Sequence, residues 1–487
     1  MPYTSKINQT SRNSNVKTGS LLIRLLLLVF LARLVISCTP FTPDPRTGKE
    51  ETQLPESFSI KNALQNPDQR WWENLEDDQL NSLVNEALSD NQTLLSYWAR
   101  FERAQAQTRK TGAELKPSLG ADAGAFYSKI KTGEDNSTVE NDRYTLGLVA
   151  SYEVDLWGRI RATHEEALLT AEASREDLNS AAITISAEVT RLWVGILSQR
   201  LQRQLLEQQL AANKTYLELV ELRFRRSLAS ALDVFQQRQL VDRVQAQLPL
   251  VEMQERMLEY QLAVLLGRMP NQAPVISRQE LPVLEAVPAA GIPLQMLDNR
   301  PDITAALRRL EASDQALAAA RADRLPALRL TGSAAYDSDD FEELFDNWIV
   351  NLGAALAAPI LDGGRRKAEV DINQAVVEQQ LAEYRQVVLD AVQEVEDALI
   401  SEMKIREHIA ALQSQLLTAK SALKEAGTRY LNGLNDYLPV LTQLLSVQNL
   451  ETDLIRRNED LLIARISLYR AIGGTWVDEL TPPGQKT

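Results

Sequence analysis

Hydrophobic and polar positions alternate with period two in four short stretches of this chain. In 144–157, "YTLGLVASYEVDLW", one face carries Tyr144, Leu146, Leu148, Ala150, Tyr152, Val154 and Leu156. The other carries Thr145, Gly147, Ser151, Glu153 and Asp155. Such alternation predicts a strand with one apolar side. The stretch 348–361 repeats it more weakly, with Trp348, Val350, Leu352, Ala354, Leu356, Ala358 and Ile360 against Asn351, Gly353 and several alanines. Leu119, Ala121, Ala123, Ala125 and Tyr127 share a face, as do Leu328, Leu330, Ala334 and Tyr336. The predicted strands are about 119–130, 143–156, 327–336 and 348–361.

Elsewhere the pattern is helical. Runs 158–226 and 364–432 contain no proline. A helix rises 1.5 Å per residue, so each run would span about 100 Å, too long for a globular domain. Return helices are expected at 230–266 and 436–472. A shorter helical pair precedes the strands at about 76–113 and 293–324, stopping at Pro117 or Pro326.

The chain repeats itself. "WGRIRA" (157–162) matches "GGRRKA" (363–368), and the same offset of 206 carries "RF" (223–224) onto "RY" (429–430) and "LLG" (265–267) onto "AIG" (471–473). "ELKPSL" (114–119) matches "DRLPAL" (323–328) at offset 209. The predicted organisation is a leader at 1–37, a tether at 38–70, repeat 1 at 71–270, a Pro-rich linker at 271–290, repeat 2 at 291–474 and a tail at 475–487.

Strands of about 9–14 residues can cross a bilayer when tilted. Tyr127, Tyr144, Tyr336 and Trp348 fall beside the polar hairpin loops, where an aromatic girdle would sit. Four strands cannot close a barrel, which needs about eight, and unpaired edges are forbidden in lipid. The chain is therefore expected to oligomerise by edge pairing; two copies give eight strands, and three give twelve and a lumen. The fold class is a mixed α and β membrane protein.

Composition narrows the function. The net charge is −14, and residues 1–37 hold five basic residues and no acid, so the remainder is more acidic still. That surface repels nucleic acid. Nothing in the chain has the spacing of a nucleophile–base pair, a phosphate loop or a metal site. The two histidines, His164 and His408, read as members of solvated helix faces. The reading is therefore not an enzyme, with no metal and no cofactor. Residues 21–37, "LLIRLLLLVFLARLVIS", are too short and too interrupted by Arg24 and Arg33 for a transmembrane helix, and read as a signal peptide. Cys38, the one cysteine, follows at once, so "VISC" resembles a bacterial lipobox and Cys38 is the expected lipidation site. Thr39 after it implies outer-membrane sorting.

The segments 71–94, "DLWGRIRA" (155–162) and 291–333 resemble the TolC-like outer-membrane efflux family, in its lipoprotein (NodT/OprM-like) branch. The resemblance covers essentially all of 38–474. It implies a homotrimer with a 12-stranded transmembrane β-barrel, four strands per chain, continuous with a long periplasmic α-helical barrel. It also implies the exit duct of a tripartite RND-type efflux system, working with a periplasmic adaptor and an inner-membrane pump in a Gram-negative outer membrane. The breaks at "RFRRSLASALDV" (223–234) and "RYLNGLNDYLPV" (429–440) become helix-hairpin tips about 100 Å from the strands. The resemblance makes Ser227, Leu228, Gly433 and Leu434 adaptor-docking positions. It makes Tyr430 and Asp233 a latch holding the periplasmic gate shut, with Asp436 supplying an acidic ring. A lipid-anchored periplasmic coiled-coil scaffold or adaptor without a pore is the alternative. It would explain the helices and anchor but not the alternating strands.

Overall fold

The computed structural model describes residues 41–46, 58, 70–131, 138–284 and 299–482. Cys38, the leader and the first part of the helical pair expected at 293–324 lie outside the described residues. Two compact units emerge, each built from both repeats.

The first unit includes Gln105–Thr170 and Leu310–Gln380. It contains an antiparallel sheet in the order β1 (Ser118–Lys131), β2 (Thr138–Val154), β3 (Ala327–Ser338) and β4 (Trp348–Ala357). The central pair therefore joins the two repeats, and β1 and β4 are left as edges. Register decides what the faces carry. Leu146 lies opposite Ala123 on one side and Tyr336 on the other, and Tyr336 lies opposite Trp348. Leu148 lies between Ala121 and Ala334, which faces Val350. Because side chains alternate across a strand, the four apolar rows read from the sequence merge into one continuous face. The opposite face carries Asp122, Glu153, Arg329, Thr331 and Asn351. There Glu153 pairs with Arg159 at 2.7 Å and with Arg329 at 3.5 Å, and Arg143 with Asp337 at 2.7 Å. Beyond Tyr144, β1 and β2 continue as a two-stranded hairpin without β3, tied by a Lys129–Glu140 ion pair.

His164 departs from its expected solvated face. Its ring packs on Gly112, where an added Cβ would lie 3.0 Å from the imidazole, and Thr111 Oγ1 lies 3.3 Å from Nδ1. His408 is exposed.

The described helices are α1 (Asp78–Asp90), α2 (Gln92–Ala113), α3 (Arg159–Arg225), α4 (Ala231–Leu265), α5 (Pro301–Ala322), α6 (Arg365–Leu431) and α7 (Leu438–Ile472). α3 and α6 each have 67 residues, about 100 Å of helix. α4 stays unbroken through Pro249, which removes one ladder bond. The second unit has its core where α1, α3 and the ends of α4 and α7 meet. Trp72 and Trp193 are fully buried there; Trp72 meets Trp476 edge-on at 4.8 Å, and Trp71 stacks on Tyr469 at 5.0 Å.

The repeats close their return helices with the same device. Gly267 and Gly473 both have positive φ, 75° and 81°. A Cβ at either would sit 2.5 Å from a carbonyl oxygen, of Asp90 or of Asn299. Asn91 Nδ2 donates to the Leu265 carbonyl, and Arg300 Nη1 to the Ala471 carbonyl. Different side chains at matching places thus satisfy matching helix-end acceptors.

Candidate functional site

Two features carry the chemistry of the molecule: the hairpin tips and the apolar sheet face. The tips share one turn. At the first, Leu228 N donates to Arg223 O (2.8 Å) and Ser227 N to Phe224 O (2.9 Å). At the second, Leu434 N donates to Arg429 O (2.9 Å) and Gly433 N to Tyr430 O (3.0 Å). This is a Schellman closure, in which the residue after the helix turns left-handed. Gly433 has φ 71°, and Ser227 takes φ 61° despite its Cβ. The turn pushes Leu228 and Leu434 into solvent, 59% and 66% exposed.

The predicted latch residues are near each other but not bonded. Asp233 sits in a capping box: Ser230 N donates to its Oδ2 at 2.9 Å, and Asp233 N donates to Ser230 Oγ at 3.1 Å. That fixes the start of α4. Tyr430 is buried, and its hydroxyl has no hydrogen-bond partner in the protomer. Burial pushes its pKa up. Arg223 lies over its ring at 4.5 Å and donates to the Leu431 carbonyl at 3.2 Å, a cation–π contact across the hairpin pair. Asp436 is exposed, next to the helix start at Tyr437.

Sequence reasoning missed Tyr437. It is fully buried, packs on Tyr430 at 5.2 Å, and donates to Gln237 Oε1 at 2.7 Å. Gln237 Nε2 in turn donates to the Asn213 carbonyl, and Gln448 Nε2 to Asn213 Oδ1, both at 2.8 Å. Desolvation pushes the Tyr437 hydroxyl far above its ordinary value. Ala231 stands at the matching place in repeat 1, so self-similarity gave no signal. Among the described residues no group of three or more His, Cys, Asp or Glu is placed to hold a metal ion.

A sheet with two open edges and one apolar face, in a chain of hairpin-closed helices about 100 Å long, defines a membrane protein that completes its β wall with other chains. The chain belongs to the outer membrane efflux protein family, whose profile matches residues 83–268 and again 292–474. It is 30% identical over 460 residues to the pyoverdine export outer membrane protein OpmQ of Pseudomonas putida, covering 93% of this chain and 98% of that one. The cation efflux system protein CusC of Escherichia coli is 27% identical, covering 92% and 99%. The outer-membrane channel OprN superposes with a TM-score of 0.84 at 27% identity, over 90% of this chain and all of that one. The protein is an outer-membrane efflux component, with a β wall in the membrane and a periplasmic helical extension.

Proposed function

We propose that the protein is the passive exit duct of a tripartite, RND-type efflux system. Three copies pair β1 to β4 into a 12-stranded barrel, and their helices form the periplasmic tunnel. The observation that carries this is the sheet itself: one continuous apolar face, which suits lipid and not water, and two unpaired edges, which lipid forbids unless neighbouring copies close the ring. A pore-less scaffold would need no such face. Purified from membranes in detergent, the full chain should have the mass of a trimer, and after reconstitution it should conduct ions. A detergent-free monomer, or a trimer without conductance, would overturn the reading.

We assign the duct no catalytic step. Cys38 carries the lipid anchor in this reading, and mass spectrometry of the mature N-terminus tests it. The exposed turns at Ser227–Leu228 and Gly433–Leu434 receive the periplasmic adaptor, which links the duct to an inner-membrane pump. The gate latch is Tyr430 with Asp233: the hydroxyl lacks an acceptor, and the capping box engages Asp233 through Oδ2, leaving Oδ1. Asp436 adds negative charge at the mouth. Tyr430→Phe should raise resting conductance, and an unchanged value would remove the latch. Relatives of comparable identity are named for pyoverdine, cations and solvents. That spread supports a duct that leaves the choice of cargo to the pump.

A further inference from the structure

The loop between β3 and β4, residues 339–347, holds Phe341 and Phe345 among five carboxylates. Both rings are exposed, 66% and 64%. Each nevertheless rests on a tyrosine of the sheet. Phe341 meets Tyr144 edge-on at 5.5 Å, and Phe345 meets Tyr336 edge-on at 5.3 Å. Register places both tyrosines on the apolar face: Tyr144 is two residues from Leu146, and Leu146 lies opposite Tyr336. Trp348, 70% exposed, is the next residue along that row. Leu344 is buried and holds the middle of the loop, and Asp340 N bonds Ser338 Oγ at 3.1 Å.

We propose that this loop is a strap seated outside the barrel wall, at the headgroup–acyl boundary of the outer leaflet, and is not a lid over the duct mouth. A lid would need its rings on the polar face, and there the same level of the sheet is occupied by the Arg143–Asp337 pair. On the apolar side the strap adds two rings to the belt of Tyr127, Tyr144, Tyr336 and Trp348. Tyr and Trp favour that boundary, their polar tips toward water and their rings toward acyl chains, and the wholly apolar Phe341 and Phe345 rings favour its acyl side. Asp339, Asp340, Glu342, Glu343 and Asp346 are all exposed, as the water side of that zone requires. The occupant is therefore lipid, continuous with the lipid that covers Leu148, Val350 and Leu352.

The inference rests on the membrane-duct reading, and its test separates the two. Spin labels are placed on the full chain at Phe341→Cys, Phe345→Cys and, as a reference on the strand, Leu352→Cys. Each is reconstituted in phosphatidylethanolamine–phosphatidylglycerol vesicles and relaxed by oxygen or by a water-soluble nickel chelate, with the parent chain reporting any signal from Cys38. Labels at 341 and 345 should respond several-fold more to oxygen than to nickel, like the label at 352. If 341 and 345 prefer nickel while 352 prefers oxygen, the strap is wrong and the duct stands. If 352 also prefers nickel, the duct reading fails first. Should a ring replacement prevent assembly, a Glu343→Cys label reads the depth of the same loop. A second measurement is independent of labels: shortening the loop by deleting 340–345 should leave single-channel conductance unchanged, and a several-fold rise would show a lid.

Discussion

The two repeats tie their long helix to their return helix at the same place with ion pairs of opposite polarity. In repeat 1 the cation is on the long helix: Arg200 of α3 reaches Glu255 at 2.7 Å and Glu259 at 3.0 Å on α4. In repeat 2 the anion is on the long helix: Glu402 of α6 accepts from Arg465 Nε of α7 at 2.9 Å, with Arg465 Nη2 at 2.5 Å. The offset of 206 places Glu259 on Arg465 and Ile196 on Glu402. Both repeats thus have a buried tie, with opposite sign. What differs is burial: the side chains of Arg200, Glu255 and Glu259 keep 12%, 8% and 7% of their surface, those of Arg465 and Glu402 4% and 0%. Glu255 is also met by Arg203 and Glu259 by Arg256, while Arg200 also donates to the Ile276 carbonyl. Glu402 is fully buried and is held by Arg465, itself 4% exposed, with help from Arg406 one turn along.

The largest effect should therefore appear in repeat 2. Glu402→Ile installs the residue that repeat 1 has there, but takes away the carboxylate paired with the buried Arg465 and leaves it its Tyr469 contact, and should cost about 3–5 kcal/mol of stability by chemical denaturation. Adding Arg465→Leu should recover most of that loss, because apolar replacement of a whole buried pair is often neutral. If the double variant is as weak as the single, the tie acts through something other than charge. Arg200→Met in repeat 1 should cost less, about 1–3 kcal/mol, because both glutamates keep a second cation.

The tips differ on a smaller energy scale. They share the turn, yet Ser227 occupies the left-handed position that Gly433 fills freely. Gly433→Ala should destabilise the second tip by about 1–2 kcal/mol. Ser227→Gly should stabilise the first by up to about 1 kcal/mol, less whatever entropy glycine adds to the unfolded chain. The start of the return helix is specified differently too. Ser230 and Asp233 cap α4 with side chains, whereas α7 begins at Tyr437 without a side-chain cap and with a proline in its first turn. Ser230→Ala should thus cost about 1 kcal/mol, while Asp436→Ala at the matching place should cost almost nothing. Hydrogen exchange confined to residues near each tip would read both.

These contrasts also show what the sequence could reveal. Period-two alternation identified the apolar sides of four strands, because lipid imposes one rule along the whole face. Proline-free length marked the long helices, and the shared offset marked the tips, since Gly433 and Ser227 stand at one place in the repeat. Pairing was less legible: nothing in the strands alone says that β2 meets β3 and leaves β1 and β4 as edges. The tip interior was hidden for a different reason. Asn213 and Gln237 come from repeat 1 and Tyr437 and Gln448 from repeat 2, at positions that the offset does not match, so no spacing links them. Asp233 illustrates a related limit. Its pairing with Tyr430 is implied by the family resemblance alone, and its local bond to Ser230 follows from cap geometry three residues away, which competes for the same carboxylate.

The smallest expected effect concerns Glu459, a half-buried carboxyl on α7 whose counterpart in repeat 1 is the exposed Met253. Burial pushes its pKa up, against the opposing hydrogen bond that Ser198 Oγ donates to its Oε2 at 2.6 Å. An acid whose folded-state pKa lies above its unfolded value is penalised when ionised, so it weakens the fold at pH above the folded pKa. The penalty is relieved as pH falls through the folded pKa toward the ordinary glutamate value of about 4.3. Glu459→Gln keeps an acceptor for Ser198 and removes the charge. It should raise the thermal midpoint at neutral pH, and the gain should fade as acid protonates the wild-type carboxyl. Met253→Gln, on the exposed counterpart, should shift neither midpoint nor pH profile. A Glu459→Gln gain that persists unchanged below the glutamate range would mean that shape, not ionisation, separates the two repeats at this position.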